Sequence, residues 1–216
     1  MGLAVSTGML ADLKRHDPEG FEWISESLVS VNEVLVESGL PPHNEPEELA
    51  EGDGSRAGSG SFPYSFLHYL RRFYVHATTD PDWTPTPVAE GEDPADDPVV
   101  EEESYMFASH LLCHSDCEGF YLPVDFDEVL VDSQDQDRIP GGLLGSSYRL
   151  RDELLAIAPA LGITVTDGEL ADAEADRINR EGFEEADRFW REKIVWLCLF
   201  EAARISIAQN TAIHFG

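Results

Sequence analysis

The chain has 216 residues, with 14 lysines and arginines against 43 aspartates and glutamates, giving a formal net charge of −29. At 42% hydrophobic and 10% aromatic it carries enough apolar side chain to build a core, which excludes wholesale disorder in spite of the charge. The charge argues against DNA, RNA or anionic lipid as a partner, because polyphosphates are bound by cationic patches that release counterions. The longest apolar run, seven residues from Ile194 to Phe200, is far short of the ~20 that cross a bilayer, so no membrane span is expected. Without a basic n-region and a longer apolar stretch at the amino terminus, a cytoplasmic location is expected.

In chain order, a short helix is predicted from about Met9 to Arg15. Asp17-Pro18-Glu19 then opens a longer one, with an Asp cap, Pro at the first helical position and an acid in the first turn. Phe21, Ile24, Leu28, Val31 and Leu35 recur at helical spacing, and Gly39 supplies a left-handed C-cap before two prolines. Residues 41–60 read as an exposed, coreless loop. Phe62-Pro63-Tyr64 opens a helix with Phe66, Leu70 and Phe73 on one face, and residues 78–98, rich in proline and acids, read as a second mobile loop. A helix or a strand fits Glu101 to Phe107, and a short hairpin is preferred for His110 to Phe126, around the turn SDCEG. Ser146 or Ser147 caps a helix with a Leu150, Leu154, Ile157 and Leu161 stripe, ended by Gly162. A polar helix is predicted over Asp167 to Asn179, and the longest from Gly182 to about Asn210, apolar on every side at its centre and so buried all round. The expected architecture is mainly α: one helical domain over residues 1–216 around that C-terminal helix, with a small β-hairpin, an α+β arrangement being the alternative.

The charge is not spread evenly. Residues 1–72 sum to −7, residues 73–137 to −18 and residues 138–216 to −4, and no Lys or Arg occurs in the 65 residues between Arg72 and Arg138. Those carboxylates face water, a cation, or basic groups brought by another molecule. Trp83, Asp93, Asp96, Asp97, Glu101 and Glu102 are therefore the candidate interaction residues, although Trp83 also suits a fold-back onto the domain.

Other constellations compete with this one. His110, Cys113, His114 and Cys117 are the densest group of soft-metal ligands, so zinc or another divalent metal is the cofactor to consider; one straight helix, however, cannot close a tetrahedron with all four. Gly141, Gly142, Gly145 and Ser146 precede a helix beside Arg149, a setting for anion binding that lacks the lysine of a P-loop and a strand-first context. In the HSDCEG turn Asp116 is expected to bond its own backbone and Gly119 to take a positive φ. Asp132, Asp135 and Asp137 lack the spacing of a calcium loop. Three cysteines, Cys113, Cys117 and Cys198, do not make a disulfide framework.

The segments FPYSFLHYLRR (62–72), HSDCEGFYLP (114–123) and GGLLGSSYRLRDEL (141–154), with GLPPHNEPE (39–47), resemble a family of uncharacterised bacterial proteins of similar length. The resemblance spans most of the chain and implies a bacterial cytosolic protein, without bringing an activity. The leading functional reading is a non-catalytic interaction module whose segment 80–137 docks a basic protein, a charge character shared with immunity proteins and with proteins that mimic DNA. The alternatives are a metal-dependent hydrolase using His110 and His114, and salt adaptation of an otherwise ordinary protein.

Overall fold

The structure, a computed structural model, describes residues 2–49, 52, 54–132 and 138–216. Asp135 and Asp137 of the calcium reading, and Glu51 and Asp53 of the 41–60 loop, lie outside the described residues.

The fold is α+β. Helices dominate, but they flank a mixed sheet of six strands: β1 (Gly2–Thr7), β2 (Ser61–Pro63), β3 (Gly119–Leu122), β4 (Leu130–Val131), β5 (Leu143–Ser146) and, last in the sheet, the strand Ile213–Phe215. A separate two-stranded ribbon pairs β6 (Val165–Thr166) with β7 (Glu169–Leu170), so the carboxy-terminal strand is β8. The sheet order is β2-β1-β8-β3-β5-β4, with β3 and β5 parallel and the other neighbours antiparallel.

Side chains alternate across this sheet as the pleat requires. On one face Phe120, Leu122 and Leu144 pack against Ile24, Leu28, Val31 and Leu35 of helix α2 (Pro18–Glu37), which is preceded by α1 (Met9–His16). On the other, Leu3, Tyr121, Ile213 and Phe215 meet the core of α3 (Tyr64–Thr79), α6 (Ser147–Ile157), α7 (Asp172–Glu184) and α8 (Trp190–Gln209). The result is three layers, with α2 and α3 on opposite faces of the sheet.

Several expectations hold. Asp17 caps α2 by accepting the Gly20 N–H at 3.1 Å, Pro18 is its first residue, and Gly39 has φ +76°. Helix α8 is buried on all sides at its centre, as its sequence demands: Trp196 is fully buried, stacks on Phe200 at 4.7 Å and donates its indole N–H to the Leu154 carbonyl at 2.7 Å. Trp196→Ala is expected to cost about 3–5 kcal/mol, the range for truncating a buried aromatic, and to lower Tm by roughly 10 °C. Urea unfolding followed by tryptophan fluorescence measures this; a loss under about 1 kcal/mol contradicts α8 as the axis of the core.

Others are corrected. The hairpin expected over residues 110–126 does not form: His110–Cys113 is a single helical turn, α5, and Gly119–Leu122 pairs with the distant strands β5 and β8. The sheet replaces the small β element of the mainly α reading. The helix expected over 167–179 starts at Asp172, because Asp167-Gly168, both at positive φ, make the tight turn of the β6–β7 ribbon. The last helix does not start at Gly182. Helix α7 runs through to Glu184, and Asp187 accepts the Phe189 N–H at 2.8 Å in a side-chain-closed turn before α8 begins.

The described residues of the 41–60 segment include several built into the fold. His43 is buried, Asn32 holds both its backbone N–H (2.6 Å) and carbonyl (2.8 Å), and Glu45 accepts the Ala212 N–H at 2.7 Å and the Thr211 hydroxyl. Arg56 reaches the fully buried Glu201 at 2.6 Å.

Candidate partner-docking surface

After α3 ends at Thr79, the chain wraps back over that helix as an acidic collar. Two Asp-Pro steps shape it: Asp93 accepts the Ala95 N–H at 3.0 Å and opens a 3-10 turn (Pro94–Asp96), and Asp97 accepts the Val99 N–H at 3.0 Å and caps α4 (Pro98–Ser104). Pro94 and Val100 are buried beneath it. Trp83 folds back as an internal anchor, meeting Phe73 edge-on at 5.1 Å and stacking on His76 at 5.4 Å. Asp97 also turns inward, accepting from Arg72 Nε at 3.1 Å and His76 Nε2 at 2.9 Å. Burial opposes its charge, but the bonds from His76 and the Val99 N–H and the charge of Arg72 outweigh this and hold its carboxyl below the usual range.

Of the six candidate interaction residues, Trp83 and Asp97 thus pin the collar, while Asp93, Asp96, Glu101 and Glu102 face solvent. Asp80, Asp82, Glu90 and Glu92 are exposed with them. None of these eight carboxylates forms an ion pair among the described residues. Arg72, which reaches the collar, is bound to Asp97. Elsewhere cations are consumed locally: Lys14, Arg56, Arg72, Arg138, Arg149, Arg177, Lys193 and Arg204 are all in ion pairs.

A second acidic feature escaped the sequence reading. Glu19, Glu22, Glu26, Glu33 and Glu37 are all exposed on α2 and fall within about 60° of one another at 3.6 residues per turn, opposite its buried face. They form a ridge about 27 Å long, with one carboxylate per roughly 7 Å, about half the axial density of phosphate along one DNA strand. The signal was present in the glutamate spacing, beside the apolar spacing that identified the helix. Arg138 neutralises one end, lying 2.9 Å from Glu37 and 3.8 Å from Glu33.

The soft-metal candidates do not converge. His110 Nδ1 accepts the Ser146 N–H at 2.9 Å while Nε2 faces the Asp127 carbonyl at 3.2 Å. His114 lies between the Ser115 and Phe120 carbonyls at 2.9 and 3.0 Å, its ring stacked on Tyr121 at 4.0 Å. Burial pushes both imidazoles down to about 4. Cys113 turns its thiol to the Ser104 carbonyl and Cys117 is exposed. Among the described residues no three His, Cys, Asp or Glu side chains group as a metal site.

The anion candidates are also divided. Gly141 and Gly142, at φ +75° and +76°, border an open cavity of about 680 Å³ whose wall includes the carboxylates Glu118 and Asp132. Gly145 lies under Tyr121, where a Cβ would come within 2.2 Å of the ring. Ser146 caps α6 directly after β5, a strand-first setting that the sequence did not suggest, but Arg149 is held by Asp125 at 2.9 Å and Asp127 at 2.6 Å. In the HSDCEG turn Gly119 takes φ +125° as expected, whereas Ser115, not Asp116, accepts the turn N–H groups of Cys117 and Glu118; Asp116 reaches across to His68 at 3.1 Å.

An α+β scaffold with a base-free, solvent-facing acidic collar defines an acidic interaction protein. The chain belongs to the family described as "Putative DNA-mimic protein", whose model matches residues 1–215. No curated protein and no solved structure matches it. No helix among the described residues is long and apolar enough to cross a membrane.

Proposed function

We propose that the chain is a cytoplasmic decoy for DNA, presenting carboxylates where a duplex presents phosphates and thereby occupying the cationic groove of a DNA-binding protein. The observation that carries this reading is the collar: eight exposed carboxylates, from Asp80 to Glu102, with no ion pair among the described residues. Membership of the DNA-mimic family supports it. Surface acids without internal partners gain most from a cationic surface, which replaces mutual repulsion by attraction and steers encounter.

The test uses the tagged chain as bait in low-salt lysate. A basic DNA-binding protein is expected to be retained and to be released by duplex DNA in competition, or by about 0.5 M salt. If no basic protein is retained, or if duplex DNA fails to displace it, the decoy reading is wrong.

A further inference from the structure

The collar ends in three large apolar side chains that face solvent. Immediately after α4, Tyr105 is 71% exposed, Met106 68% and Phe107 44%, and among the described residues none of them joins a core cluster. They do not sit on a loose end. The Met106 N–H is held by the Glu103 carbonyl at 3.1 Å, the Ser104 carbonyl accepts from the Cys113 thiol at 3.4 Å, and on the far side Glu153 accepts from the Ser109 hydroxyl at 3.2 Å and the His110 N–H at 2.8 Å. Between these fastenings Phe107 is kept at φ +51°, a left-handed conformation that a bulky residue adopts only where its surroundings impose it. Exposed tyrosine, methionine and phenylalanine side by side on a fixed turn have the composition of an interface centre.

Charge decides what covers them. The nearest charged residues in the chain are Glu101, Glu102 and Glu103 on one side and Asp116 on the other, within a segment, residues 73–137, that sums to −18. A second copy would bring the same acids to the contact, and the anionic face of a membrane repels them. A protein surface with an apolar socket rimmed by lysine or arginine is attracted instead, and the exposed Glu101 and Glu102 are placed to meet that rim. Carboxylates that stand in for phosphates give an attraction that salt removes, whereas a buried apolar anchor adds a part that salt leaves intact. We propose, on the decoy reading, that Tyr105, Met106 and Phe107 are the apolar anchor of the docking surface, seated in a socket of the DNA-binding protein beside the cationic groove that the collar fills.

The basic protein retained from low-salt lysate, once purified, is titrated with the intact chain and with its Tyr105→Ser/Met106→Ser variant at several salt concentrations. The double variant should bind at least about tenfold more weakly at every salt concentration with an unchanged salt slope, where loss of collar carboxylates flattens that slope. Its unfolding midpoint should be that of the wild type, since both side chains are exposed. Wild-type affinity in the double variant, or a loss confined to low salt, overturns the anchor and leaves the decoy reading standing; retention of no basic protein overturns both. A doubled mass in light scattering, or flotation with phosphatidylcholine vesicles, that the double variant abolishes would assign the three side chains to a second copy or to lipid, and overturns the anchor as well.

Discussion

Converting Asp80, Asp82, Glu101 and Glu102 to their amides is expected to weaken capture of the DNA-binding partner at least about a hundredfold, equivalent to roughly 2.7 kcal/mol, with little change in unfolding midpoint. These groups are exposed and lie outside the ion pairs that fasten the collar, and the one local bond among them, the Asp82 N–H to Asp80 Oδ1 at 3.0 Å, can be kept by the side-chain carbonyl oxygen that Asp80→Asn leaves in place. The dependence of affinity on salt should flatten at the same time, because fewer charges are brought together on binding. The corresponding variant of the ridge, Glu19, Glu22 and Glu26 to Gln, should change affinity less than about threefold. That ridge lies on the opposite face of the sheet from α3 and the collar, and one groove cannot embrace both. Calorimetric titration of the purified partner at two salt concentrations separates the cases. Equal losses from both variants would remove the collar from its proposed role.

The second large effect concerns stability and pH. Burial pushes the Glu192 carboxyl, only 3% exposed, up to about 7 against the opposing charges of Arg191 and Arg72, and pushes Glu153 up to about 7 although it accepts from Ser109, His110 and Leu111. The folded chain therefore holds protons that the unfolded chain releases between about pH 4.5 and 7, and stability from these two groups falls as pH rises through that window. His110 and His114 act in the opposite sense. Kept neutral by burial, and lowered from 6.5 to about 4, they cost stability as pH falls from 6.5 to 4. Over most of the shared window the two pairs offset one another.

Glu192→Gln removes one side of that balance. It should stabilise the protein by up to about 3 kcal/mol at pH 8, the equivalent of 2.5 pH units, and by almost nothing below pH 4.5. Its stability should accordingly climb more steeply with pH between 4.5 and 6.5 than that of the wild type, in which partly buried His68 and buried His214 add to the cost of acid. Urea midpoints at pH 4.5, 6.5 and 8 give the answer directly, and a gain that does not depend on pH refutes a buried titrating carboxyl at position 192.

Local signals were read reliably where a short stretch of chain closes its own interactions. The Asp17-Pro18 cap, the apolar spacing of α2, the Ser146 cap of α6 and the glycine at 39 each act within a few residues, and all are as expected. Asp167-Gly168 was an equally local turn signal, overlooked inside a polar stretch that suited a helix. The sheet was not legible because its strands are two to six residues long and pair across the chain: Val5 lies opposite Phe215, and Phe120 opposite both His214 and Leu144. For the HLLCH segment, helical or extended backbone satisfied the same apolar residues. Arg71 settles the matter by donating to the carbonyls of Leu111 and His114 from another helix.

By itself the sequence determined the amount and position of the charge, since charge along a base-free segment of 65 residues has no local remedy. Only the tertiary structure decided which acids remain available. Asp97 was drawn inward by Arg72 and His76, Asp125 and Asp127 were taken up by Arg149, and Glu33 and Glu37 were met by Arg138, all bases brought from other elements. It likewise set the ring nitrogens of His110 and His114 against backbone groups, a pairing that residue spacing does not encode. An exposed charge is a property of composition, whereas a free one depends on which neighbours the fold supplies.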